Sequence, residues 1–263
     1  MMRKELAAMI DLLKQELYKF VHLKGTLFAP LILLGLMAFM GFSALIQPGK
    51  DYFIVMAFNG AEWLDFLLII AGANLIGMEF EYGTIKHMIA QHNSRLLIYT
   101  AKMIILGGYS IALHLLTFGL TIVLKFGFFG KSHPFSTIYY NHQSIMQNLI
   151  TGLLSNLYST FLLITLIFLI ASISRTSSIA AVIGILFIFM ATPMANLINH
   201  MVGGVLPLIK WNPLNMFNVA FQFLTPTVQK QSLLTDPQLV IGNLIWAGVF
   251  VIIGVYAFKR KQI

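Results

Sequence analysis

Residues 78–95, MEFEYGTIKHMIAQHNSR, put two glutamates, two histidines, a lysine and an arginine into eighteen positions. The flanks, WLDFLLIIAGANLIG at 63–77 and LLIYTAKMIILGGYSIALHLL at 96–116, are suited to lipid. Gly83 and Thr84 permit a sharp turn, and IKHMIAQH at 85–92 suits a short helix. Asn93 or Ser94 then suits the cap of the next apolar segment, with Arg95 in its first turn. The stretch is a polar hinge between two membrane spans.

The rest of the chain agrees with that reading. Of 263 residues, 58% are hydrophobic and only 10% charged, against about 25% charged in a soluble domain. The mean hydropathy is +0.83. So little charge cannot cover a water-facing surface, and the solvent for much of the chain must be lipid. A net charge of +8 invites a nucleic-acid reading, but the basic residues are spread between apolar runs, so no nucleic-acid partner is expected. The absence of cysteine excludes disulfides, thiolate metal sites and cysteine nucleophiles.

A span needs about 20 apolar residues. Six segments qualify: Thr26–Ile46, Trp63–Met78, Tyr99–Leu124, Gln147–Ile173, Ser178–His200 and Leu239–Phe258. The second is short and is expected to extend outward through Met56 and Phe58; SISRTSS (172–178) forces a tight hairpin between the fourth and fifth. In lipid such segments must be helices. With the N-terminus inside, inner segments hold twelve of the basic residues (Arg3, Lys4, Lys14, Lys19, Lys24, Lys86, Arg95, Lys102, Arg175, Lys259, Arg260, Lys261). Outer segments hold five, Lys50, Lys125, Lys131, Lys210 and Lys230. The bias places both termini, and residues 79–95, in the cytoplasm. No cleavable leader is expected, because no A-x-A-like site follows the first apolar run.

Residues 1–25 place Leu6, Ile10, Leu13, Leu17 and Phe20 on one helical face, while Lys4, Asp11, Lys14, Gln15 and Lys19 fall largely elsewhere. That pattern predicts an amphipathic helix lying in the inner interface. Residues 201–238 hold short apolar pieces, GGVLPLI and FNVAFQFL, broken by Pro and Asn and too short to span. They are expected to be re-entrant or interfacial helices. The predicted fold is a single all-α transmembrane domain of six spans, with no soluble or nucleotide-binding domain.

EFEYGTIKHMIAQHNSRLLIYTAK, with Glu79, Gly83-Thr84, Ser94-Arg95 and Lys102, resembles the signature of ABC transporter permeases of the ABC-2 (type V exporter) class. More narrowly, it resembles the single-domain permeases of bacterial antimicrobial-peptide immunity and export, of the bacitracin and lantibiotic types. It departs in placing Ile85 and Lys86 after Gly-Thr, where members often carry Arg. The resemblance implies that residues 79–95 form a coupling helix docking on a separate ATP-binding-cassette ATPase. The coupling set is then Glu79, Glu81, Gly83, Thr84, Lys86, Arg95 and Lys102. It further implies a second copy or paralogue as dimer partner, the bacterial plasma membrane as location, and an amphipathic or antimicrobial peptide as cargo. ATP and Mg would be held by the ATPase and no cofactor by this chain, which lacks a G-x-x-x-x-G-K-[ST] loop. Other cargoes (lipid, ion or drug) and a non-transporting scaffold or sensor fit the same topology.

Several polar residues in the spans have two readings. Thr151, Ser155 and Ser159 repeat at i, i+4, with Asn156 and Thr160 alongside. That stripe suits either a close-packed helix seam or a polar path. Asn74 and Asn243 share the ambiguity. Glu62 and Asp65, in AEWLDF, are expected in the outer headgroup region, where they cost little. His114, without an acidic ladder in the spans, is expected to be a packed, hydrogen-bonded residue. No span offers a convergent acid pair or a Ser with a His base, so an intramembrane enzyme is not expected.

Overall fold

A computed structural model describes residues 2–92, 94–204 and 206–261. The side chains of Arg3, Lys4 and Leu6, and all of Asn93, lie outside the described residues. The protein is an all-α integral membrane protein, and among the described residues six helices are long and apolar enough to cross a bilayer. Helix α1 (Met2–His22) leads into α2 (Lys24–Ile46), the short α3 (Lys50–Val55) and α4 (Gly60–Glu81). Helix α5 (Ile85–His92) links α4 to the long α6 (Arg95–Phe129), followed by α7 (Ile145–Ile173) and α8 (Ser177–Val202). Two short helices, α9 (Val219–Leu224) and α10 (Gln229–Ser232), precede α11 (Asp236–Arg260).

Local chemistry sets the boundaries. The Ser94 hydroxyl accepts from the Leu97 N–H and opens α6, and the Thr176 hydroxyl does the same for α8 through Ile179. Ser144 and Gln147 form a reciprocal capping box at α7, as do Thr235 and Gln238 at α11; each satisfies two otherwise orphaned backbone groups. The hairpin expected at SISRTSS is only three residues, Ser174–Thr176, between α7 and α8.

The second span does not extend outward as one helix. Ala57, Phe58 and Asn59 all have positive φ (50°, 50° and 59°), so the chain turns sharply between α3 and α4. Burial explains the turn: Phe58 is fully buried and stacks on Phe129, which holds the segment against the bundle.

Helix α7 is the centre of the bundle and is buried along most of its length, against α4, α6, α8, α9 and α11. By contrast α2, α8 and α11 leave Leu27, Phe39, Ile183 and Ile252 on the outside, as lipid-facing surfaces require. Where α4 crosses the start of α8, Gly77 lies so close that a Cβ there would be 2.6 Å from the Ser177 Cα.

One end of the bundle carries α1, α5, the α7–α8 hairpin and the end of α11. The opposite end carries residues 47–59, 130–144 and 203–235. This last segment folds back on the bundle in short helical turns tied by amides: Asn215 Nδ2 donates to Lys210 O and Ser232 O, and Gln222 Nε2 to Leu234 O and Asp236 Oδ1. Packed on protein in this way, irregular backbone is tolerated near the bilayer.

Candidate functional site

At the α5 end, three elements meet on a buried ion cluster. Lys102 on α6 is 1% exposed; its ammonium is 2.5 Å from Glu16 Oε2 on α1 and 3.1 Å from Glu79 Oε1 on α4. Lys19, one turn beyond Glu16, adds 3.1 Å and 3.5 Å contacts to the same two carboxylates. The Thr84 hydroxyl donates to the Glu79 carboxylate, so the turn into α5 is tied to the cluster. Two cations and two carboxylates balance, which is the condition under which charge can be buried.

Four of these five residues lie in the patterns read from the sequence. Glu16 does not. Leu12, Glu16 and Phe20 are the buried line of α1, whereas Ile10 and Leu17 point outward. The face predicted from Ile10, Leu13, Leu17 and Phe20 is therefore divided between lipid-facing and bundle-facing residues. A glutamate with apolar residues at both i−4 and i+4 was the available signal.

Lys19 stands outside the spans, and its titration follows from its neighbours. Burial of its stem disfavours the charge, but Glu16 and Glu79 outweigh that, leaving the pKa above the ordinary 10.5. A lysine with a raised folded-state pKa stabilises the fold fully below 10.5 and loses that contribution as pH rises through the raised value. The gap in unfolding midpoint between wild type and Lys19→Met should thus stay constant at neutral pH and close in strong alkali. A gap unchanged in alkali would show that the ammonium charge is not what Lys19 contributes.

The remaining coupling candidates lie apart from the cluster. Glu81 accepts from the Ser177 N–H (3.2 Å) and hydroxyl (2.8 Å), an extra anion on the N-terminus of α8. Arg95 donates to the carbonyls of Phe258, Lys259 and Lys261, closing the C-terminus of α11. Lys261 likewise donates to Ala171 O and Ser174 O at the end of α7, and burial pushes its pKa down. Gly83 has φ +69°, a left-handed turn that a side chain would strain. On α5, Ile85 and Met88 are buried, while Lys86, His87 and Gln91 form an exposed face.

The polar span residues divide between seam and network. Ser155 donates to Gly152 O and weakly to Ala220 O, and Asn243 Nδ2 to Met216 O, both fixing helix seams. Thr151 is half-buried, and Asn74 lines a cavity beside Glu79 and Lys102. Asn156 joins a chain that sequence did not reveal. Its Nδ2 is 3.3 Å from Asp65 Oδ2 on α4, and its Oδ1 is 2.9 Å from His114 Nε2 on α6. His114 Nδ1 is 2.8 Å from Ser110 O and therefore carries a proton; Asn156 is the partner of its other ring nitrogen. His114 thus has the partners that the sequence reading did not find. Asp65 lies five residues inside α4, about 7.5 Å from its start.

No curated protein matches the chain. A family model described as "ABC-2 family transporter protein" matches residues 12–192, from the buried line of α1 to the middle of α8. That span includes the ion cluster, α5 and the Asp65–Asn156–His114 chain. The chain belongs to the ABC-2 transporter family.

Proposed function

We propose that the α5 end of this permease faces the bacterial cytoplasm and receives a separate ATPase, and that the cargo is an amphipathic or antimicrobial peptide. Membership of the ABC-2 family makes the chain a membrane subunit of an ABC exporter rather than an enzyme, and that family normally works with an ATP-binding-cassette ATPase. The observation that carries the coupling reading is the ion cluster joined to α5. The exposed Lys86, His87 and Gln91 offer a docking face. Behind them, the Thr84–Glu79 bond leads into α4, and Lys102 connects Glu79 to α6 and to Glu16 of α1. A push on α5 therefore reaches three helices through charged contacts that cannot stretch cheaply in a low-dielectric setting. Glu81 and Arg95 brace the same end. The working unit is a pair of permeases, either two copies or a copy and a paralogue.

The peptide cargo is supported by the bacitracin- and lantibiotic-type resemblance of residues 79–102. The test is ATP-driven uptake of such a peptide into inverted vesicles carrying the permease and its ATPase. Gly83→Val, which strains a left-handed residue by about 1–2 kcal/mol where nothing lies within 4 Å of the new Cβ, should insert normally and still bind the ATPase. Its peptide uptake should fall severalfold while ATP hydrolysis persists. Full uptake by the variant would remove the coupling assignment, and uptake of lipid or drug but not peptide would replace the cargo.

A further inference from the structure

A second site lies towards the opposite end of the bundle. Between α4, α7, α8 and the folded-back segment 203–235 is a cavity of about 430 Å³. Its walls include five aromatic residues, Trp63, Phe66, Phe189, Phe217 and Phe221. Phe66 and Phe189 meet at 5.0 Å between ring centroids and close the gap between α4 and α8. Set into these walls are Asp65 and Asn218, and Glu62, exposed, stands beside them.

The polar atoms here are incompletely satisfied. Asp65 Oδ2 accepts from Asn156, but Asp65 Oδ1 is buried with no partner. Asn218 is fully buried; its Nδ2 donates to Asn215, and its Oδ1 has no partner. Both residues line the cavity, which is large enough for a small amphiphile, and both unpartnered oxygens sit just behind its surface, closed off from solvent. Buried acceptors left unpaired cost about 1–3 kcal/mol each. Among the described residues no lysine or arginine lines this cavity, so the cation that Asp65 calls for is not supplied by its walls. A ligand ammonium has several N–H donors for the two oxygens once small side-chain rotations turn them to the cavity, and the rings favour both its charge and an attached apolar body.

We infer that this cavity binds a primary ammonium group carried on an apolar or aromatic body, with Asp65 as counter-ion and Asn218 as second acceptor. The Asn156 bridge orients the carboxylate, and behind it His114 anchors Asn156 from α6. Glu62 at the mouth adds attraction for cations. The same chemistry is offered by a lysine side chain of an amphipathic peptide and by the headgroup of phosphatidylethanolamine. The inference draws its purpose from the transport reading, but it is tested on the permease alone. Loss of ATP-driven transport with binding intact overturns only the transport reading, and lack of binding by the wild type overturns only the inference.

The experiment is calorimetric titration of the permease in phosphatidylcholine nanodiscs with 4-phenylbutylammonium, and with 4-phenylbutanol as its neutral counterpart. The wild type should bind the ammonium saturably and the alcohol at least about tenfold more weakly. Asp65→Asn, which keeps an acceptor for Asn156, should lose about tenfold to a hundredfold in ammonium affinity and leave alcohol binding unchanged. Unchanged alcohol binding also shows that the cavity is still formed. Asn218→Leu, the second variant, should lose less. A lysine-containing amphipathic peptide that competes identifies a peptide source, and competition after adding phosphatidylethanolamine to the discs identifies the headgroup. Equal affinity for ammonium and alcohol, equal ammonium affinity in Asp65→Asn, or no saturable binding overturns the inference.

Discussion

Lys102→Met should destabilise the permease by about 3–5 kcal/mol, because it leaves two buried carboxylates without their shared cation. Glu16 and Lys102 are each 1% exposed, and Glu79 is 9% exposed. Lys19 remains 3.1 Å and 3.5 Å away, but it is half-exposed and cannot replace an ammonium sealed between α1, α4 and α6. The loss should appear first as release of α1, since Glu16 is that helix's only buried charge among its described side chains. Thermal unfolding in detergent reads the total cost, and limited proteolysis before residue 24 reads the release. Combining Lys102→Met with Glu16→Gln should recover part of the loss, because the second change removes the stranded charge. An unfolding midpoint equal to wild type for Lys102→Met would show that the cluster is not holding the helices together.

The second large effect is expected at the crossing of α4 and α8. A Cβ on residue 77 would lie 2.6 Å from Ser177 Cα and 2.8 Å from Ser177 N. These are backbone atoms, so no rotamer change relieves the overlap. The helices cannot simply part, because Glu81, one turn further along α4, holds the Ser177 N–H and hydroxyl. Gly77→Val should therefore cost at least about 1–3 kcal/mol, the usual range for overpacking, and should break the Glu81 cap. Unfolding measurements on the purified chain test this. Wild-type stability for Gly77→Val would show that α4 and α8 part at this crossing without cost.

The architecture was readable from the sequence wherever a property is local. Twenty-residue apolar runs, the Ser94 and Ser144 caps and the hairpin at 174–176 all depend on residues within a turn or two of one another. The second span does reach outward to Ala57, but its bend is not legible, because apolarity alone does not distinguish a continued helix from Phe58 buried in a left-handed turn. The candidate site was half legible. Glu79, Thr84 and Lys102 stand out by position around the hinge, but their meeting with Glu16 joins residues 86 apart in sequence. In an isolated helix, Glu16 looks like one more solvent-facing charge. Asp65, Asn156 and His114 were each seen and judged singly; their contacts bridge 91 and 42 residues. Hydropathy carries no record of such pairings, because which helices become neighbours is settled by packing.

The fastening of Arg95 to the carbonyls of Phe258, Lys259 and Lys261 also has a bearing on biosynthesis. A ribosome delivers Arg95 well before its acceptors, the first of which follows 163 residues later. During that interval α5 and the start of α6 lack one of their braces, while α1, α4 and α6 already possess all the charges of their cluster. The nascent permease thus acquires its ion cluster early and its final clasp late. A motor subunit that requires a braced α5 will find it only on chains whose sixth span has already been inserted.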